Sequence, residues 1–127
     1  MAADQPHFAR ASRGRGDETG EGVYDDGRLL VEHDNYYVSC DGQALSFRRA
    51  EFLLLSRLAQ NAGRVVKAEE LWQYVWGASK PYNAESLHVH VYRLRNKLAP
   101  FAVQIETMVN VGYRLLPAAE MPRRRTA

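Results

Sequence analysis

The stretch Ala84–Leu98, AESLHVHVYRLRNKL, decides the fold of this 127-residue chain. At 100° per residue its apolar side chains fall on one narrow stripe, spaced four, three and four residues apart. The stripe consists of Leu87, Val91, Leu94 and Leu98. This spacing predicts an amphipathic helix with one face buried against a core.

A second stripe, about 110° from the first on the helical wheel, bears hydroxyl, methyl, imidazole, guanidinium and ammonium groups and no acid. Its members are Ser86, Val89, His90, Arg93 and Lys97. A helix with such a face suits the major groove of DNA, which is wide enough to admit it. From this stretch alone, an ordinary solvated basic face is the alternative interpretation.

Length, composition and cysteine count limit the classes of protein to which the chain can belong. The length predicts one domain with tails, and 46% hydrophobic and 25% charged residues are typical of a soluble globular protein. The single cysteine, Cys40, has no partner for a disulfide or a zinc cluster, which favours a reducing cytoplasm. No apolar run reaches the roughly 18 residues of a membrane span, and the polar N-terminus does not read as a signal peptide.

The net charge of +2 hides a strong asymmetry. Residues 1–47 hold four Arg and nine acids, a net charge of −5, whereas residues 48–127 hold thirteen Lys and Arg and six acids, a net charge of +7. This segregation favours a polyanionic partner for the C-terminal part, although chance segregation is also common.

Element signals divide the chain into a domain over residues 22–117 and two tails. Residues 1–21 lack periodicity and are expected to be a disordered tail or linker remnant, and residues 118–127 a basic tail. Runs of strand formers at 23–24, 28–33, 36–40 and 43–47, separated by turn signals, predict an antiparallel sheet of three or four strands. Helical periodicity follows over 49–61 and 68–75, with Val65-Val66 as a short extended link between them.

Two strands at 103–108 and 113–116 come after the quoted helix, which Pro100 ends. The order sheet, three helices and hairpin predicts an α+β fold, a winged helix-turn-helix. In this fold the helix 84–98 enters the major groove, and the wing, residues 105–115, reaches the backbone or the minor groove.

From Phe47 onward the chain resembles the winged-helix effector domain of OmpR/PhoB-type bacterial transcription regulators. Ordered motifs carry the resemblance over about 95 residues. They are Glu51-Phe52-x-Leu54-Leu55, Asn61-x-Gly63-x-Val65-Val66, Glu70-Leu71, Val75-Trp76-Gly77, Val89-His90-Val91-x-Arg93-Leu94-Arg95-x-Lys97-Leu98, Ile105-x-Thr107 and Gly112-Tyr113-Arg114.

The resemblance implies sequence-specific binding to double-stranded DNA, on direct repeats, by a cytoplasmic regulator of a two-component system that associates with the nucleoid when bound. It assigns base and backbone contacts to Ser86, Val89, His90, Tyr92 and Arg93, and backbone contacts to Trp76, Thr107 and Tyr113. The loop over residues 77–83 is a candidate contact for RNA polymerase. The family's domain usually follows a receiver domain, which residues 1–21 are too short to form. The chain is therefore expected to be either the C-terminal part of a longer protein, with a receiver domain as a partner, or a standalone regulator.

Four departures from the family's pattern affect affinity and sequence preference rather than fold. Glu85 stands where the family often has Arg, and His88 where Asp is common. Val109-Asn110 replaces the wing's usual Arg-Gly, although Asn110 tolerates the positive φ of a tight hairpin and stays a candidate DNA contact. Lys67 replaces a capping Ser or Thr, and its ammonium can contact phosphate instead.

The sequence offers no catalytic or cofactor site. His88 and His90 point about 200° apart on a helix, so they are not expected to share a metal ion. Cys40 has no matched His, and no phosphate-binding glycine loop or nucleophile elbow occurs. The serious alternative to DNA binding is a winged helix that acts as a protein–protein interaction module, with Glu85 and Val109 as its signs.

Overall fold

The computed structural model describes residues 22–118. The predicted tail at 1–21 lies outside the described residues, as does the predicted tail at 118–127 apart from Ala118. Four strands come first: β1 (Val23–Asp25), β2 (Leu29–Glu32), β3 (Tyr37–Cys40) and β4 (Gln43–Leu45). They form an antiparallel sheet in the order β1-β2-β3-β4. This confirms the predicted N-terminal sheet, although β2, β3 and β4 are each shorter than the strand-forming runs.

Asp26 holds the first turn of this sheet and connects it to the end of the domain. Its Oδ1 accepts from the backbone N–H groups of Arg28 and Leu29 at 2.9 and 2.8 Å. Its Oδ2 accepts from the Tyr24 hydroxyl at 2.7 Å and from the Ala118 N–H at 2.9 Å. One carboxylate therefore closes the β1–β2 turn and joins it to the last described residue.

The first helix, α1 (Arg49–Gln60), is buried on almost every side. Its apolar side chains pack against the N-terminal sheet, the other two helices and the wing. The buried ones are Phe52, Leu53, Leu54, Leu55, Leu58 and Ala59. A helix this apolar around its circumference belongs at the centre of a domain, and α1 forms the middle of the core.

The second helix, α2 (Ala68–Trp76), and the third, α3 (Ala84–Leu98), complete the helical part. Gly77, with φ 93, ends α2 in a conformation that L side chains rarely adopt. The indole N–H of Trp72 donates to the Lys80 carbonyl at 2.9 Å and so anchors the connecting loop. None of these helices, within residues 22–118, has the length and apolar character needed to cross a bilayer.

The wing is a three-stranded sheet rather than a simple hairpin. Its hairpin strands are β6 (Ile105–Met108) and β7 (Gly112–Leu115), and β5 (Val66–Lys67) pairs with β7 on the other side. The extended link predicted at Val65-Val66 is thus partly a strand, whose pairing with β7 was not predicted. A two-residue strand gives too short a sequence signal to predict this pairing, because its partner lies 47 residues away, with Val66 opposite Tyr113.

Gly112 permits this close pairing. A Cβ at this position would lie 2.0 Å from the Val66 carbonyl oxygen, well inside van der Waals contact. The glycine of the Gly112-Tyr113-Arg114 motif is thus required by the approach of β5. The resulting sheet fixes the wing to the start of α2.

Candidate nucleic-acid interface

The third helix is oriented by its apolar stripe. Leu87, Val91, Leu94 and Leu98 are all at most 1% exposed, as the spacing predicted. Asn83 caps the helix, because its Oδ1 accepts from the Ser86 N–H at 2.9 Å. The opposite face of α3, here called the outward face, consists of Glu85, Val89, Tyr92, Arg93 and Asn96, all exposed.

The outward face offers donors, an apolar group and one carboxylate. Val89 is 39% exposed and Tyr92 58%. The Arg93 guanidinium has no hydrogen-bond or ion-pair partner among residues 22–118. An unpaired guanidinium keeps all five N–H donors available for a ligand, and in particular for the two acceptors of guanine or for phosphate.

Arg95, two residues further on, is fully engaged with the wing. Its Nε and Nη2 donate to the Ile105 carbonyl at 2.9 and 2.7 Å, and Nη2 also donates to Thr107 Oγ1 at 2.6 Å. The guanidinium lies 5.8 Å from the centre of the Tyr113 ring. Arg95 therefore sets the position of the wing relative to α3.

Lys97 lies on the other flank of α3, and its surroundings differ from the predicted acid-free stripe. Its Nζ is 2.9 Å from Glu51 Oε1 and 3.4 Å from the Ser46 carbonyl, and it lies 5.5 Å from the centre of the Phe47 ring. The predicted acid-free stripe thus ends in an ion pair with a buried carboxylate. The sequence could not reveal this, because Glu51 is 46 residues away on another helix.

Glu51 is 3% exposed and still carries its charge. Burial raises the pKa of this carboxyl group, but the hydrogen bond from Lys97, the N–H of Arg48 and the charges of both residues outweigh burial and lower it below its ordinary value. The Arg48 N–H lies 3.1 Å from Oε1. Lys97 is therefore part of the packing of α1 on α3.

Ser86 and His90 form the flank of α3 that faces α2. His90 Nδ1 lies 2.8 Å from the Ser86 carbonyl oxygen, which can only accept, so Nδ1 carries the proton. In this tautomer Nε2 is the acceptor. The imidazole packs edge-on against Trp76 at 4.9 Å, and Trp76 lies 4.3 Å from Trp72. This stack holds His90 and Trp76 in place beside the outward face.

A cleft of about 860 Å³ separates the first turns of α3 from the wing. Three of the predicted backbone-contact residues, Lys67, Thr107 and Tyr113, line it together with Asn110. The remaining lining comes from Ala68, Glu69, Tyr82, Ala84, Glu85, His88, Met108, Val111 and Gly112. The structure thus brings four sequence-predicted residues into one groove beside α3, while Trp76, Ser86 and His90 lie on its other side.

The hydrogen-bond donors in this cleft are suited to binding the phosphates of a nucleic-acid backbone. Thr107 Oγ1 accepts from Arg95, so its hydroxyl hydrogen is left to donate elsewhere. Burial raises the pKa of Tyr113, which therefore keeps its O–H donor at neutral pH. Lys67 is exposed at the rim, and Glu69 and Glu85 place carboxylates on the same walls. The cleft is consequently mixed in charge rather than uniformly basic.

Asn110 forms the tip of the wing with φ 66, the left-handed conformation expected for a tight hairpin. His88 lines the cleft whereas His90 faces Trp76, so the two imidazoles lie on opposite flanks of α3. No group of three or more metal-binding side chains occurs among residues 22–118.

Two residues of the interface were not predicted. Asn96 lies on the outward face, two positions from a buried leucine, and simple wheel geometry could have identified it. Arg95 was assigned no role, because its ligands are a backbone carbonyl and a hydroxyl of the wing, which leave no signal in the sequence.

Comparison with known proteins places these features in a family. Residues 42–115 match the family described as "Transcriptional regulatory protein, C terminal". The sensory transduction protein RegX3 of Mycobacterium leprae is 35% identical over 101 residues, covering 77% of this chain and 51% of the relative. The chain spans about half the length, or less, of the curated relatives it matches.

Solved structures have the same fold. The DNA-binding domain of RstA from Klebsiella pneumoniae, crystallised in complex with the RstA box, superposes with a TM-score of 0.66 and 28% identity, covering 76% of this chain and 99% of that one. The DNA-binding domain of CpxR from E. coli gives a TM-score of 0.66 and 30% identity, covering 77% of this chain and 99% of that one.

Proposed function

Because this chain belongs to the OmpR/PhoB-type family of transcriptional regulatory protein C-terminal domains, we propose that it binds double-stranded DNA sequence-specifically. The proposal rests mainly on the outward face of α3, where Arg93, unpaired within residues 22–118, lies beside exposed Val89 and Tyr92. The cleft and the fixed wing continue this surface. The similarity to a domain crystallised with its DNA box supports the same conclusion.

In this proposal α3 enters the major groove with its outward face toward the bases. Arg93 donates to guanine O6 and N7, and Val89 packs on a thymine methyl group. His90 Nε2 and the Ser86 hydroxyl read or contact the edge of the same groove. Tyr92 and Asn96 add polar contacts at its centre and far end.

The sugar–phosphate backbone beside that groove lies in the cleft between α3 and the wing. Lys67 contributes charge there, and the Thr107 and Tyr113 hydroxyls donate to phosphate oxygens. Trp76 contacts the opposite strand's backbone from the α2 side through its indole N–H. Lys97 has no place in this interface, because its ammonium is already paired with Glu51.

We further propose that the domain is the output part of a longer two-component regulator in the bacterial cytoplasm. The matched region covers 51% and 42% of two relatives, which are named as a sensory transduction protein and a response regulator. A receiver domain and RNA polymerase are the proposed protein partners, the latter at the loop 77–83 that Trp72 anchors. Binding as head-to-tail copies would account for direct repeats.

A selection from a random duplex library, followed by fluorescence anisotropy, tests the proposal. We expect a preferred sequence, and we expect binding to fall steeply between about 50 and 200 mM salt because bound phosphates release counterions. A scrambled duplex of equal length and composition is the control. Absence of binding at low salt to every duplex would overturn the proposal and favour a protein–protein interaction module.

A further inference from the structure

Glu85 is the acidic residue of the outward face of α3 and lies in the first turn of the helix. Its side chain is exposed, and its carboxylate has no hydrogen-bond or ion-pair partner within residues 22–118. Steps of four residues place it on one line with Val89 and Arg93, since side chains four apart lie on the same face of a helix. An unpaired carboxylate therefore lies on the surface that faces the bases in the proposed function.

The start of α3 is already stabilised without this carboxylate. Asn83 accepts from the Ser86 N–H at 2.9 Å and so caps the helix. By contrast, Glu51, in the first turn of α1, is buried and paired with Lys97. An exposed acid in a first turn adds only a small stabilisation through the helix dipole, and salt screens it. The position of Glu85 relative to DNA is therefore the larger consequence of its charge.

A carboxylate that faces DNA is repelled by the phosphates, and only a hydrogen bond from a base can offset this repulsion. An ionised carboxylate accepts hydrogen bonds and donates none. The donors of the major groove are the amino groups of cytosine and adenine, at N4 and N6. Guanine and thymine present acceptors there, and adenine places its N7 acceptor beside the amino group. Cytosine is thus the base whose edge offers a carboxylate a donor and no acceptor.

We propose that Glu85 reads cytosine, with its carboxylate accepting from the N4 amino group in the major groove. The inference rests on the proposed function, in which Arg93 donates to guanine and Val89 packs on a thymine methyl group. Glu85 and Arg93 are eight residues apart, which is about 12 Å along a helix. Because base pairs are stacked about 3.4 Å apart, the cytosine lies about three or four base pairs from that guanine.

The same carboxylate has opposite effects on two kinds of duplex. Where cytosine stands at this position, the hydrogen bond strengthens binding. Where another base stands there, Glu85 meets an acceptor and keeps its repulsion from the phosphates, so binding is weakened. Glu85 therefore increases the ratio of specific to non-specific binding and lowers the affinity for unrelated DNA.

Removal of the carboxylate tests both effects by fluorescence anisotropy on the selected duplex and on duplexes with each other base pair at the cytosine position. Glu85→Ala should lower affinity for the cytosine duplex about tenfold or more, the value of a hydrogen bond to a charged group. It should raise affinity for the other three and keep the preference at the guanine contacted by Arg93. Glu69→Ala is the matched control, since Glu69 is an exposed first-turn carboxylate on the wall of the same cleft. This control should change the affinity for all four duplexes by one common factor.

Glu85→Gln keeps the size of the side chain and changes its hydrogen-bonding groups. The amide can accept from adenine N6 and donate to adenine N7, so this variant should bind the duplex with adenine at that position better than wild type does. A purely structural role of Glu85 at the helix start would not create a new base preference. An unchanged preference for cytosine over adenine in Glu85→Gln would contradict the inference.

A duplex with N4-methylcytosine at the same position tests the contact on the DNA side. In the base pair the methyl group replaces the N4 hydrogen that points into the major groove, and pairing with guanine is kept. Wild type should bind this duplex about tenfold or more weakly than the unmodified one, and Glu85→Ala should bind both alike. Equal binding of both by wild type, or an equal loss in wild type and Glu85→Ala, would overturn the inference and leave DNA binding intact. Failure of wild type to bind any duplex would overturn the proposed function as well.

Discussion

Basic side chains on the outward face of α3 and on its two flanks differ in whether they are paired within the protein. Arg93, Arg95 and Lys97 follow one another at two-residue intervals and look alike in the sequence. Arg95 is hydrogen-bonded to the wing and Lys97 is paired with a buried carboxylate, whereas Arg93 has no partner in the described part of the chain. The number of basic residues on a helix therefore overstates the charge that the helix offers to a ligand.

Contacts on the two flanks hold α3 in position, and the orientation of the outward face depends on them. Arg95 holds the wing against one side of α3, and the Lys97–Glu51 pair holds α1 against the other. These contacts leave α3 with one orientation, so that the outward face is defined. Specificity in such an arrangement comes from the few groups that remain unpaired.

The largest expected effect comes from the stripe that fixes the rotation of α3. Leu94 is fully buried, so Leu94→Ala should lower the free energy of unfolding by about 2–5 kcal/mol in urea denaturation. Asn96→Ala, an exposed site on the same helix, should change it by no more than about 0.5 kcal/mol. Similar values for the two variants would contradict the assignment of Leu94 to the buried face and Asn96 to the outward face.

A smaller loss is expected from the flank. Lys97→Met leaves the Glu51 carboxylate buried with only the Arg48 N–H, which should destabilise the fold by about 1–3 kcal/mol at neutral pH. Lys67→Met, which alters an exposed lysine, should change stability by no more than about 0.5 kcal/mol. A Lys97 variant as stable as wild type would show that the ion pair does not hold α1 on α3.

The same pair predicts a pH dependence. Because the pKa of Glu51 is lower in the folded than in the unfolded chain, its contribution to stability is complete above the unfolded pKa and is lost as pH falls through the folded pKa. The stability difference between wild type and Lys97→Met should therefore be greatest near neutral pH and should shrink toward about pH 3. A difference that grows on acidification would contradict the assigned charge state.

The smallest effect is expected at the rim of the cleft. Lys67→Ala should weaken binding to every duplex about equally and make the salt slope shallower by up to about 0.9, the value for one phosphate contact. Titration of the selected and scrambled duplexes at several salt concentrations measures both quantities. Loss confined to the selected duplex would mean that Lys67 reads sequence and that the cleft is more than a backbone groove.

Local patterns predicted the architecture well, because it depends on signals within each element. The stripe of α3, the end of α2 at Gly77 and the positive φ of Asn110 all follow from residues close in sequence. Strand β5 and the roles of Arg95 and Lys97 could not be predicted in the same way. Each depends on a partner at least ten residues away, whose position only the folded chain defines.

Binding of Arg93→Met and Lys97→Met to the selected and scrambled duplexes tests most directly whether Arg93, and not Lys97, contacts DNA. Arg93→Met should cost about 1–3 kcal/mol on the selected duplex and flatten the preference at one base pair, because it removes the unpaired guanidinium. Lys97→Met should keep the affinity, the preference and the salt slope of wild type under conditions where it stays folded. A shallower salt slope for Lys97→Met, together with wild-type binding by Arg93→Met, would show that Lys97 rather than Arg93 contacts DNA.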